Sequence, residues 1–120
     1  MDGRRLCESD YRFLQVIWDN EPVRSGKLVE LCREALGWKK STVYTMLKKL
    51  CDKGMTSNED SVVKSLVSRD SVQAFESEKF VEKTFAGSLP GFLVSFLSGK
   101  TISQEEADEL MQLIDQHREG

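Results

Sequence analysis

Three stop signals cut the first 54 residues of this chain into short pieces: Asn20-Glu21-Pro22, Gly37 and Gly54. Proline has no N–H with which to continue a helix, and glycine readily takes the left-handed backbone that closes one. Between the stops, apolar residues recur at helical spacing. Tyr11, Leu14, Ile17 and Trp18 predict a helix over about 8–20, and Leu28, Val29, Leu31, Cys32 and Ala35 predict a second over 26–36, with Ser25 as N-cap and Gly37 as C-cap. Val43, Met46, Leu47 and Leu50 line the inner face of a third helix over 40–53, capped by Ser41. Its outward positions are Thr42, Thr45, Lys48, Lys49 and Asp52.

The pattern then changes. Met55–Asn58 and Ser61–Val67, separated by the turn-like pair Glu59-Asp60, combine β-branched residues with a polar break and predict a short two-stranded hairpin. Three more helices follow: one from about Ser71 to Phe85, one over Leu89–Ser98, and one opened by the capping box Ser103-Gln104-Glu105-Glu106. The expected fold class is therefore mostly α with a small β-hairpin: a winged helix-turn-helix domain followed by a three-helix C-terminal segment. The boundary is expected near Ser68–Ser71, giving residues 1–69 and 70–120 as the two parts.

The chain is acidic overall, with a formal charge of −3, but the charge is segregated. Residues 24–53 carry eight basic groups against three acidic ones, a net +5; residues 54–120 carry six against twelve, a net −6. A phosphate responds to the local field, so the basic cluster on the second and third helices is the feature that matters for nucleic acid. In a winged helix-turn-helix module the third helix enters the major groove of double-stranded DNA. Ser41 and Thr42, beside the free N–H groups of its first turn, suit a phosphate oxygen. Thr45 and Tyr44 are placed to touch bases, notably a thymine methyl. Lys39, Lys40, Lys48 and Lys49 are candidates for phosphate contact, and Arg24 and Lys27 at the start of the second helix for the backbone across the groove.

The second half is rich in apolar residues for helices this short. Phe75, Phe85, Phe92, Leu93, Phe96, Leu97, Leu110, Met111 and Ile114 are expected to bury against a second copy of the chain. A dimer would present two recognition helices to successive major grooves, about 34 Å apart, which makes a palindromic operator the expected target.

Other function classes find little support. Cys7, Cys32 and Cys51 lack the paired spacing of a zinc or redox site, and Cys32 and Cys51 fall on apolar-periodic segments where they pack. The single histidine, His117, sits on the last helical turn with no nucleophile or carboxylate pair beside it, and the glycines have neither phosphate-loop nor dinucleotide spacing. The chain is read as no enzyme, with no metal and no cofactor; a small hydrolase would need a cleft, nucleophile and base that the sequence does not reveal. The stretch Leu89–Leu97 is too short to span a bilayer, and the start Met1–Cys7 has no apolar run behind Arg4 and Arg5, which points to a cytoplasmic protein without membrane insertion.

Several pieces, in order and spacing, resemble a known family. They are Glu8-Ser9-Asp10 before Val16-Ile17-Trp18, the run Lys40-Ser41-Thr42-Val43-Tyr44-Thr45-Met46-Leu47-Lys48-Lys49-Leu50, then Asp52-Lys53-Gly54-Met55, and Leu66-Val67-Ser68-Arg69-Asp70. Together they resemble the penicillinase and methicillin-resistance repressors and their copper-responsive relatives. The resemblance implies homodimers that bind palindromic operators and repress resistance genes, with the C-terminal helices as dimer interface. It also implies DNA contact by Ser41, Thr42, Tyr44, Thr45 and Lys48. In the β-lactam-responsive members it implies a membrane-sensor protease system that leads to cleavage within the fifth helix. The corresponding bond here is Ser95-Phe96, with serine where the family has asparagine.

Two departures stand out. The copper-responsive relatives carry paired cysteines near the C-terminus, and this chain has none. Where the family usually has a longer, basic wing, the chain has Asn58-Glu59-Asp60-Ser61 with only Lys64 nearby, and two acidic groups at a hairpin tip repel phosphates. A competing expectation follows from that tip: a winged-helix protein-interaction module in which DNA binding is weak or lost.

Overall fold

The computed structural model describes residues 6–120; Arg4 and Arg5 of the chain's start lie outside the described residues. Helix α1 (Glu8–Asn20) opens with a reciprocal cap between Cys7 and Asp10, in which the Cys7 N–H donates to Asp10 Oδ2 at 3.2 Å. It turns Phe13, Leu14, Val16 and Ile17 inward. A two-residue strand β1 (Val23–Arg24) leads directly into α2 (Ser25–Leu36), and α3 (Lys40–Asp52) follows after Gly37 at φ 70°. The hairpin is β2 (Thr56–Glu59) and β3 (Val62–Ser65). Helices α4 (Arg69–Phe85), α5 (Leu89–Leu97) and α6 (Gln104–His117) complete the chain.

The six helices and the wing stand where the sequence placed them, and the corrections lie at their ends. The sheet has three strands in the order β1-β3-β2, all antiparallel, because β1 adds to the hairpin edge with Val23 opposite Val63 and Arg24 opposite Val62. That strand also explains why Ser25 is not the N-cap of α2. Arg24 occupies the cap position in extended backbone, and the Ser25 N–H, which a capping side chain would otherwise help satisfy, donates to the Ser61 carbonyl at 2.8 Å. Ser41 likewise falls inside α3, whose cap is Lys39.

The turn of the wing is Asp60-Ser61, one residue later than Glu59-Asp60. Glu59 pairs with Val62, and both turn residues have positive φ, 52° and 62°, the signature of a two-residue type I′ hairpin loop. Met55 stays outside β2, although the Leu66 N–H still donates to its carbonyl at 2.8 Å. Helix α4 starts at Arg69 because Ser68 caps it, with the Ser71 N–H donating to Ser68 Oγ at 3.1 Å. Helices α5 and α6 are capped by Ser88 and Ser103, whose hydroxyls accept from the N–H groups of Gly91 and Glu106.

The chain forms two compact units, residues 1–76 and 77–120. The core belongs to the first: Phe13, Leu14, Ile17, Leu28, Cys32, Val43, Leu50 and Val63 are wholly inaccessible, with Leu47 and Met55 beside them. Burying each such side chain contributes about 1.5–3 kcal/mol. Trp18 closes one side, donating its indole N–H to the Val67 carbonyl at 3.0 Å, while the Arg69 guanidinium stacks over its ring and pairs with Asp19. The opening turns of α4 are part of this unit, with Val72 buried and Phe75 half-buried.

The second unit has a different interior. Phe80, Phe85, Phe92 and Phe96 form a chain of ring contacts with centroids 5.5–6.0 Å apart. Yet no residue from Ser77 onward is fully buried, and Val94 and Met111 are 74% and 65% exposed.

Candidate nucleic-acid interface

Helix α3 is anchored by one face and free on the other. Val43, Leu47 and Leu50 are buried at i, i+4, i+7, and this fixes Ser41, Thr42, Tyr44, Thr45 and Lys48 on the outer surface. All five are exposed, as are Lys39 and Lys40 at the helix start and Arg24 and Lys27 at the start of α2. Lys39, Lys40, Ser41 and Thr42 stand at the N-terminus of α3, where unsatisfied N–H groups add positive potential, and Arg24 and Lys27 stand at the start of α2, which Tyr44 reaches through Ser25.

The cations differ in how freely they can meet a phosphate. Among the described residues, Arg24, Lys39 and Lys40 have no ion-pair partner. Lys27 lies 3.6 Å from Glu30 and Lys48 lies 3.5 Å from Asp52, both solvent-exposed pairs of the kind worth little. Lys49 is different. Its ammonium donates to Asp10 Oδ1 at 2.9 Å, and Asp10 is completely buried. The hydrogen bond that Lys49 donates to Asp10, and the negative charge of that carboxylate, hold Lys49 protonated above its ordinary range. Although burial opposes ionisation of Asp10, the bonds from Lys49 and Cys7 hold its carboxyl below the usual aspartate value.

Tyr44 is fixed at its far end. Its hydroxyl lies 3.4 Å from Ser25 Oγ, so the ring is laid against α2 rather than projecting freely. The wing contributes no positive charge at its tip: Asn58, Glu59, Asp60 and Ser61 are all exposed, and Lys64 is three residues beyond Ser61. At the base of the wing, Glu21 accepts from both the N–H and the hydroxyl of Ser65 at 2.7 and 2.8 Å, tying the end of α1 to β3.

Sequence reasoning missed Asp10, Glu21 and Ser25 as parts of this framework. Asp10 left a signal: it stands three and four residues before Phe13 and Leu14, in line with the apolar stripe of α1, where a carboxylate needs a partner. Of the residues expected at a dimer interface, Phe85, Phe92, Leu93, Phe96, Leu97, Leu110, Met111 and Ile114 fall in the second unit, and Phe75 falls in the first. Ser95 and Phe96 lie within the last turn of α5, where the Ser95 carbonyl accepts from the Ser98 N–H at 3.3 Å. No group of three or more His, Cys, Asp or Glu among the described residues could hold a metal ion. No helix among the described residues is long and apolar enough to cross a membrane.

The sequence pattern of the penicillinase repressor family matches residues 6–116, nearly the whole chain. The chain belongs to that family. It is a family of transcriptional repressors and not of enzymes. Among its relatives, the chain is 21% identical over 118 residues to a penicillinase repressor from Bacillus licheniformis, covering 95% of this chain and 92% of the relative. It is 22% identical over 120 residues to the methicillin resistance regulatory protein MecI of Staphylococcus aureus strain Mu50, covering 95% and 98%. A protein of the same description from Mammaliicoccus sciuri is 21% identical over the same length. Within the penicillinase repressors, then, this chain is a distant member that aligns over nearly its whole length.

Proposed function

We propose that the chain is a homodimeric, cytoplasmic transcriptional repressor that recognises a palindromic operator through α3. The observation that carries the reading is the outer face of α3, where Ser41, Thr42, Tyr44 and Thr45 are exposed beside Lys39 and Lys40, which with Arg24 have no ion-pair partner among the described residues. Hydroxyls and a threonine methyl supply base-edge contacts, and the flanking cations supply the sequence-independent share of affinity. Family membership and the names of the relatives support genes of the β-lactam-resistance type as the regulated set.

Dimerisation is supported by the second unit. Helix α5 is apolar apart from Gly91 and Ser95, and a helix with so wide an apolar surface is normally buried. Leu110, Met111, Leu113 and Ile114 of α6 are all exposed in a single copy. A second copy related by a two-fold axis supplies the missing cover and sets two α3 helices one DNA turn apart. Release through a membrane-sensor protease system, with cleavage at Ser95-Phe96, belongs to the same reading.

Selection of bound fragments from random double-stranded DNA, followed by a salt titration on the winners, tests the proposal. Inverted half-sites about 10 base pairs apart with steeply salt-dependent affinity are expected. A full-length band that persists in β-lactam-treated cells would remove the cleavage step alone. The second reading, a protein-interaction module, is favoured by the acidic tip Glu59-Asp60; it predicts no enrichment of any fragment by a folded dimer.

A further inference from the structure

We propose that Asp10 is the positioning residue for the recognition helix, and that Lys49 is its ligand rather than a ligand of DNA phosphate. The inference rests on the DNA-binding reading above and deepens it. Asp10 is wholly buried near the start of α1, and everything that satisfies it apart from its own helix cap comes from α3. Lys49 Nζ binds Oδ1 at 2.9 Å, Lys53 Nζ stands 3.5 Å from Oδ2, and the Cys7 N–H completes Oδ2 at 3.2 Å.

Lys49 and Lys53 are separated by four residues and so rise from one side of α3, the first in its last turn and the second at its C-cap. One carboxylate gripped from that side restricts both rotation of α3 about its axis and sliding along α1. Apolar contacts restrict these motions less, since Val43, Leu47 and Leu50 are non-directional. Rotation matters because successive helical positions are about 100° apart, so a modest turn of α3 moves Thr42 and Thr45 off the base edges they address. A buried carboxylate deprived of its ammonium is strongly unfavourable, which ties the two helices together whenever the domain is folded.

The same geometry withdraws Lys49 from phosphate. Moving its ammonium to DNA would take from buried Asp10 the 2.9 Å bond to Oδ1 and leave it the Lys53 ammonium at 3.5 Å, whereas Lys48, 79% exposed at the neighbouring position, gives up only a surface pair with Asp52. Adjacent lysines in the sequence thus have separate tasks: one meets solvent and phosphate, and the other sets the helix.

Operator binding and single-base-variant binding by the full chain, measured from 50 to 200 mM salt, test the assignment. Lys40→Ala is expected to lower the slope of log affinity against log salt by about 0.9, the value for one lost phosphate contact, while Lys49→Met leaves the slope unchanged. Lys49→Met and Asp10→Asn are each expected to reduce discrimination between the operator and its single-base variants at least ~10-fold, and Lys49→Arg to restore it. A slope change in Lys49→Met equal to that of Lys40→Ala overturns the proposal, as does full discrimination in Lys49→Met. Circular dichroism at the assay temperature accompanies each variant, and if Asp10→Asn is unfolded the Lys49 pair decides. Failure of the wild-type chain to bind any duplex would instead defeat the DNA-binding reading and this inference with it.

Discussion

The Tyr44 hydroxyl lies 3.4 Å from Ser25 Oγ, and Ser25 is itself bound through its N–H to the Ser61 carbonyl at 2.8 Å. Through these two contacts α3, α2 and the wing meet at a single buried serine. Tyr44→Phe keeps the ring and loses only the long hydroxyl contact, so the fold should change by about 0.5 kcal/mol, the low end for a hydrogen bond. The freed ring should nevertheless alter which bases are preferred beside Thr45. Sequencing of selected operators from wild type and variant checks this; identical preference profiles would show that the tether has no part in recognition.

Asp60 and Ser61 hold the positive φ values that a type I′ turn requires, and Asn-Gly is the pair best suited to it. Asp60→Asn with Ser61→Gly should stabilise the first unit by about 0.5–1 kcal/mol, read as a rise in melting temperature of several degrees. The change also removes one negative charge from the wing tip. Affinity for any duplex should therefore increase modestly at low salt, and the gain should fade as salt is raised. A gain that survives high salt would come from the turn and not from the charge.

Much of this architecture was legible in the residues because periodic burial and helix stops are local signals. Val43, Leu47 and Leu50 fixed the outward face of α3 without any knowledge of its neighbours. The wing turn and the start of α4 were missed locally, by one and two residues, and the larger misses are tertiary. Two residues, Val23 and Arg24, carry no periodicity, so β1 exists only because β3 offers an edge. Ser25 and Ser41 have the chemistry of N-caps, but Arg24 and Lys39 occupy those places, in the first case because the strand runs directly into the helix. Lys49 reads as one more surface lysine until Asp10, 39 residues earlier, is brought against it.

Asp10 makes the first unit sensitive to acid. Burial pushes its carboxyl up, but hydrogen bonds from Lys49 and Cys7 leave it below its ordinary value of 3.8. A depressed carboxylate stabilises the fold above its unfolded pKa, and that contribution is lost as pH falls through the folded one. The stability difference between wild type and Asp10→Asn should be flat between about pH 5 and 8 and shrink below about pH 4. Denaturant melts across that range measure it; a difference that stays constant down to pH 2 would mean that the Lys49 pair is not formed in solution.

The cysteines should separate by reactivity. Cys32 is wholly buried in the core and burial pushes its thiol up to about 11, whereas Cys7 is exposed at the start of α1. A raised thiol pKa favours the folded state below the unfolded value and is lost as pH climbs towards 11, so the domain should weaken in strong alkali. At pH 8 a disulfide reagent should label Cys7 rapidly and Cys32 only as the domain opens, a rate that denaturant accelerates. Equal labelling rates for the two in native buffer would show that the core around Leu28 and Val43 is open to solvent.

The exposed residues of α6 provide the sharpest test of assembly. Leu110, Met111, Leu113 and Ile114 occupy one broad side of the helix, and the proposed two-fold partner removes them from water. Ile114→Asp places a charge where a dimer would have to desolvate it, a substitution that a free monomer tolerates on its surface. Light scattering should then report the mass of a single 13.7 kDa chain where the wild type gives twice that value. Each monomer would keep its recognition helix, so binding to an isolated half-site should be unchanged. Affinity for the full palindrome should fall by about 10²-fold or more, because the two half-sites no longer act through one linked molecule. An undiminished mass would place the dimer contact on surfaces other than α6, and an unchanged palindrome affinity would mean that the two half-sites bind independently.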